Sequence, residues 1–167
     1  MISNILVLTA FQEGSRRALA MATEMALRFE AQVHVLHVID EDLVEVISTA
    51  MVPTVVDSGV PAPAGSVLPP SLGQHLRPAI SNDNVSSGLV ARAERQMRDF
   101  VAQPDARLQL TTEVRIGKAH EVTIETVASR HVDFVVMGRS RHGLKEFLLG
   151  SIADKVVRTV GCPVCLL

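Results

Sequence analysis

The sequence predicts an α/β protein with a parallel sheet. Two features of the N-terminal 40 residues and one of the remainder carry that reading. Ile5-Leu6-Val7-Leu8 is a short unbroken apolar run, the pattern of a strand covered on both faces. Ala18, Leu19, Ala22, Met25, Ala26 and Phe29 then repeat at helical spacing over 15–29, and the β-branched stretch 32–39 follows as a second strand. Strand, helix, strand in so short a span is a βαβ unit, which places its two strands parallel. Past residue 88, strand-like and helix-like segments go on alternating.

Each later element has its own signal. Leu43 to Met51 suits a short helix. Residues 52–87 hold Pro53, Pro61, Pro63, Pro69, Pro70 and Pro78 with Gly59, Gly65 and Gly73, and read as a Pro/Gly-rich insertion in one 1–167 domain. Leu89, Val90, Ala93, Met97 and Phe100 draw the apolar stripe of a helix that Pro104 ends. Residues 108–116 alternate apolar and polar, as a strand near a sheet edge does, and Gly117 closes them. A helix is expected over 121–129, a central strand over 133–137, a helix over 147–160 and a terminal strand over 163–167.

Composition narrows the function. Apolar residues make up 47% and charged residues 20% of the 167, a globular balance. The formal charge of −2 lacks the basic excess of a nucleic-acid footprint. With no Trp or Tyr and only five Phe, the chain also lacks a base-stacking platform. No apolar run approaches the roughly 20 residues of a membrane span, and the N-terminus shows no leader pattern. The expectation is a cytoplasmic protein that binds neither nucleic acid nor membrane. Cys162 and Cys165 sit in a strand-like segment, not at a strand-to-helix turn, so they read as reduced structural residues.

In an open parallel sheet, ligands bind beyond the carboxyl ends of the strands, where strand order reverses. That points to 8–11, 38–41 and 137–152. Gly138 follows a strand, where a missing side chain permits close backbone approach. Gly150-Ser151 lies near a helix start, where free amides, the helix dipole and a hydroxyl suit a phosphate, and equally suit ordinary capping. Arg139, Arg141, His142 and Lys145 add charge between them. Neither a Walker A loop nor a Gly-x-Gly-x-x-Gly fingerprint is present.

Read in order, 5–7 with 14–19, Leu36-His37-Val38-Ile39-Asp40-Glu41, 114–117, 133–138, 148–156 and Cys162-Pro163-Val164 resemble the universal stress protein family over nearly the whole chain outside the insertion. The resemblance implies five parallel strands in order 3-2-1-4-5, the adenine nucleotide alpha hydrolase-like fold, and a homodimer paired through 163–167. One branch of that family binds ATP through Gly-x2-Gly-x9-Gly-Ser/Thr. On that pattern Gly138 matches the first glycine and Gly150 with Ser151 the last pair. Met137 and Ile152 flank phosphates and ribose, Val38 meets adenine through its backbone, and Leu8 and Ala10 line the base. The implied ligand is ATP, or AMP or ADP, with Mg²⁺ arriving only on the nucleotide.

Two positions depart from the pattern. Gly138 and Gly150 are 12 positions apart where the family has 13, so the middle glycine falls on Ser140 or Arg141. Nucleotide-binding members carry an Asp at the end of the first strand, where this chain has Ala10. The alternative reading is a dimeric stress-response interaction protein without nucleotide. An enzyme is not expected beyond slow ATP hydrolysis. There is no zinc spacing, and His34 and His37, three apart on one strand, face opposite sides. Asp40-Glu41-Asp42 reads as a helix start, and no motif draws His120 and Asp133 together.

Overall fold

The computed structural model describes residues 1–51, 82–102, 107–138 and 151–167. Its strands are β1 (Asn4–Leu8), β2 (Gln32–Ile39), β3 (Leu110–Ile116), β4 (Phe134–Met137) and β5 (Val164–Leu166). Its helices are α1 (Glu13–Phe29), α2 (Glu41–Met51), α3 (Asn82–Phe100), α4 (Ala119–Ser129) and α5 (Ser151–Thr159). All five strands are parallel, in the order β3-β2-β1-β4-β5. The fold class and strand order therefore stand as expected.

Alternation along the strands sends side chains to two cores. Ile5, Val7, Val33, Val35 and Val136 point to one face, where they meet Ala18, Ala22 and Ala26 of α1 and Met97 and Phe100 of α3. Leu6, Leu36, Val135 and Met137 point to the other, against Val122 of α4 and Val156 of α5. A smaller cluster of Ile39, Val44 and Ala93 seats α2 against α3. The α1 stripe is made of small residues (Ser15, Ala18, Ala22, Ala26), which lets the helix lie close on the sheet. Phe29, counted in that stripe by spacing, is half exposed. The chain leaves α1 through Glu30 in the left-handed region, φ 55, and its amide donates to the Ala26 carbonyl.

Helix α3 begins at Asn82, not near Leu89, so the last residues of 52–87 are helical. Asp83 stands in the first turn, where a carboxylate favours the positive end of the helix dipole, and the Ser87 hydroxyl donates to the Asp83 carbonyl. These polar residues hid the helix, because no apolar stripe marks its first two turns. Residues 52–81 lie outside the described residues, as does the part of the expected last helix that precedes Ser151. Among the described residues, no helix is long and apolar enough to cross a membrane.

Candidate functional site

β1 lies between β2 and β4, and the chain crosses from one side of it to the other. The carboxyl end of β1 is therefore the switch point, the place where such sheets hold ligands. Strand register brings Leu8 level with Leu36 on one side and Met137 on the other. Leu8 and Val38 pack with Met137 and with Ala153 of α5 against the second core. Ser151, exposed, opens α5, and Ile152 beside it is also exposed. Leu8, Val38 and Met137 lie at strand ends on the face that α5 covers, with Ser151 and Ile152 at the first described turn of α5, whereas Gly138 follows β4 and turns toward α1 on the opposite face. Ser140, Arg141 and Gly150, with the rest of the 139–150 loop, lie outside the described residues.

The turn after β1 is the most constrained part of the site. The Thr9 amide donates to the Leu36 carbonyl at 3.0 Å, and the Phe11 amide donates to the Thr9 hydroxyl at 3.0 Å. The Ala10 amide donates to the buried Ser15 hydroxyl at 3.1 Å. From β2, the His37 Nδ1–H donates to the Thr9 carbonyl at 2.8 Å. These bonds hold Phe11 at φ 58, a left-handed conformation that is costly for a bulky residue. The Phe11 ring lies 4.3 Å from the His37 ring, and meets Phe100 edge-on at 5.7 Å. Arg16 lies over the Phe100 ring at 5.5 Å. Ala10 is left exposed at the tip of the turn.

Within 8–11 sequence reasoning singled out Leu8 and Ala10 but gave no role to Thr9 or Phe11, and it missed Ser15. Their signal was faint: a hydroxyl at each end of a short turn with an aromatic between them. It also misassigned the reason for Gly138. A Cβ there would run into the backbone of Gly14 and Ser15 at the start of α1. The close approach that Gly138 permits is that of the protein's own helix.

The two strand histidines separate as expected. His37 joins the aromatic cluster, while His34 accepts the Thr111 hydroxyl on Nδ1 at 2.8 Å and donates Nε2–H to Glu113 at 3.0 Å. Asp40 caps α2, its Oδ1 accepting the Asp42 amide at 3.0 Å, and Glu41 pairs with Lys118 at 3.6 Å, so this acidic trio is a helix start. His120, near the start of α4, faces Glu121 at 3.8 Å, whereas the Asp133 carboxylate accepts the Ser3 and Asn4 amides at the opposite end of the sheet. Cys162 packs on one core and Cys165 on the other, and both thiols are free. Burial pushes the Cys162 thiol up, away from the reactive thiolate. Among the described residues no group of three His, Cys, Asp or Glu could hold a metal ion.

These environments predict a pH profile. Burial lowers the pKa of His34 below the ordinary 6.5, with repulsion from Arg130 adding to it against the pull of Glu113. Burial does the same to His37, against its bond to Thr9. Below about pH 6.5 the unfolded chain binds these protons and the folded chain resists them, so stability falls as pH falls. Burial would raise Glu113, but Arg130 and then His34 more than offset it and hold it below its ordinary 4.5. The amides of Ser3 and Asn4 hold Asp133 below 3.8. Those two contributions are present above the ordinary values and are lost as pH falls through the lowered ones. Urea melts should therefore weaken in two stages on acidification, the first between about pH 7 and 5. His34→Gln and His37→Gln should each flatten that first stage. A flat profile down to pH 5 would contradict the arrangement.

A model of the universal stress protein family matches residues 1–167. Among solved structures, the hypothetical protein MJ0577 superposes with a TM-score of 0.69 at 21% identity. It covers 100% of this chain and 96% of its own. The universal stress protein UspA from Lactobacillus plantarum gives 0.60 at 22%, over 99% and 97%. A universal stress protein in complex with cAMP gives 0.52 at 13%, over 99% and 96%. At such identities these likenesses speak for the fold. No curated protein matches the chain. The sheet order, the strand ends gathered at β1 and the match along the full sequence lead to one conclusion: the chain belongs to the universal stress protein family.

Proposed function

We propose that this protein is a regulatory module that binds an adenine nucleotide, ATP or its AMP and ADP relatives, at the carboxyl ends of β1, β2 and β4. The observation that carries the reading is the turn at 9–11. A bulky residue is held at φ 58 by a web of hydrogen bonds, at the switch point of the sheet. Strain of that kind is kept where a rigid edge must meet a ligand. Leu8, Ala10 and Val38 line the base side of the proposed site. Ser151 at the α5 N-terminus meets the phosphates, with Gly138, Ser140, Arg141 and Gly150 in the connecting loop. A relative solved with cAMP supports an adenine ligand. Mg²⁺ accompanies the nucleotide and has no protein site of its own. The protein works in the cytoplasm as a homodimer joined through 163–167.

A second reading, a dimer without nucleotide, draws on one observation. Ala10 offers no carboxylate, and its amide is already taken by Ser15. Thermal shift and calorimetry with ATP, ADP, AMP and cAMP separate the two. Ligand at 100 times its dissociation constant should add about 2.7 kcal/mol of stability. Ser151→Asp sets a negative charge where the phosphate would sit, yet suits the helix dipole. It should keep or slightly raise the stability of the free protein while weakening binding at least about tenfold. Ala10→Asp, which supplies the family's carboxylate, should strengthen binding. No shift with any of the four nucleotides would decide for the second reading.

A further inference from the structure

The far end of the sheet carries a different constellation. β2 and β3 pair with His34 opposite Thr111 and Leu36 opposite Glu113, so three polar side chains share one face near the amino ends of their strands. The second core borders this place through Val132. Thr111 is exposed, His34 is 7% exposed behind it, and Glu113 is partly covered. The Thr111 hydroxyl lies 2.8 Å from His34 Nδ1, and His34 Nε2 lies 3.0 Å from Glu113 Oε2. Arg130, at the end of α4, donates Nη2–H to the same Glu113 oxygen at 2.8 Å. A cavity of about 200 Å³ opens here, lined by His34, Thr111 and Arg130 with Asn4, Gln32 and Val132.

From this geometry we infer a second site, independent of the nucleotide reading, in which Thr111, His34 and Glu113 act as nucleophile, base and orienting carboxylate toward a small, negatively charged acyl ester. Such a site needs a hydroxyl within hydrogen-bond reach of a base, and the base held by a third group. Both conditions are met. Glu113, kept ionised by Arg130, accepts a hydrogen bond from Nε2–H, which leaves the Nδ1 lone pair facing the hydroxyl. Burial keeps the imidazole neutral and able to accept a proton. The cavity is smaller than the 300–1,000 Å³ typical of drug-sized ligands, which sets the size of the acyl group. The Arg130 guanidinium on its wall selects a carboxylate on that group.

In the step, the Thr111 Oγ attacks the ester carbonyl carbon as its proton passes to His34 Nδ1. The carbon–oxygen bond to the leaving group then breaks, and His34 returns the proton to that oxygen. The products are an alcohol or phenol and an acyl ester on Thr111. Water repeats the sequence through His34, releasing the acid and restoring the threonine.

The test uses the full chain with the p-nitrophenyl half-ester of succinic acid, and p-nitrophenyl acetate beside it. The expected result is a burst of nitrophenolate of about one per chain, with a succinyl group found on Thr111 by peptide mass mapping. Thr111→Val, similar in shape and still suited to a strand, should unfold at nearly the wild-type urea concentration and lose about a hundredfold or more in acylation rate. His34→Gln should lose as much, and Arg130→Gln should lose the preference for the half-ester over the acetate. An unreactive wild-type chain, a label on another residue, or an unchanged rate in Thr111→Val overturns the inference.

Discussion

Replacing Gly138 with Val should cost about 3 kcal/mol or more, the upper end of what overpacking a tight interior causes. A single Cβ at this position already meets the Gly14 carbonyl carbon and oxygen and the Ser15 amide. These are backbone atoms at the start of α1, and a backbone cannot turn aside as a flexible side chain can. The helix start would have to move away from β4. Ser15 would move with it, and its hydroxyl would lose the Ala10 amide. The turn that holds Phe11 would then loosen, and the proposed base side of the site with it. Urea unfolding measures the first effect and nucleotide titration the second. Gly88→Ala provides the opposite sign. Gly88 lies in α3 with open space around its Cβ, so alanine there should stabilise by about 0.5–1 kcal/mol. Equal midpoints for Gly138→Val and wild type would show that α1 does not lie against Gly138.

Val156→Asp should be as damaging, for a different reason. The described part of α5 spans 9 residues, and Val156 is its fully buried residue, set among Leu6, Leu36 and Val135. An ionised carboxylate in that apolar contact has no partner to offset its lost hydration, and the cost is about 3–5 kcal/mol. A helix in a folded protein gets most of its stability from packing of its apolar face, not from its own propensity. Once its anchor is gone, Ser151 no longer has a fixed place. Val156→Ala should lose only about 2 kcal/mol and keep the helix seated. Circular dichroism at matched urea concentrations, with nucleotide titration of the folded fraction, distinguishes the two substitutions. If Val156→Asp folds and binds like wild type, α5 is not held through this contact.

Both predictions concern places where sequence reading stopped short. The glycine after β4 was legible as a point of close approach, since only glycine omits the Cβ. Which backbone approaches is a matter of where α1 comes to rest, and that follows from the small-residue stripe at Ser15, Ala18, Ala22 and Ala26 docking on the sheet. The stripe was readable by its period. Its consequence at Gly138, more than 110 positions away, was not. The first two turns of α3 were hard to read for a simpler reason: they carry one apolar residue, Val85, which packs on the cluster of Ile39, Val44 and Ala93, among polar neighbours. The hydroxyl, imidazole and carboxylate of Thr111, His34 and Glu113 also escaped, because strands so far apart in sequence acquire a register only when the sheet forms.

The sequence by itself determined the class of fold, the parallel strands and the two-sided core. Those properties follow from local periodicity and from the chirality of βαβ connections, which neighbouring residues carry. Tertiary structure alone decided that Phe11 is strained, that Gly138 serves α1, that Ser15 secures Ala10, and that a buried histidine joins a threonine to a glutamate. Each of these depends on groups distant along the chain meeting within a few ångströms. Such distances are set by the packing of whole elements and are written in no short stretch of residues.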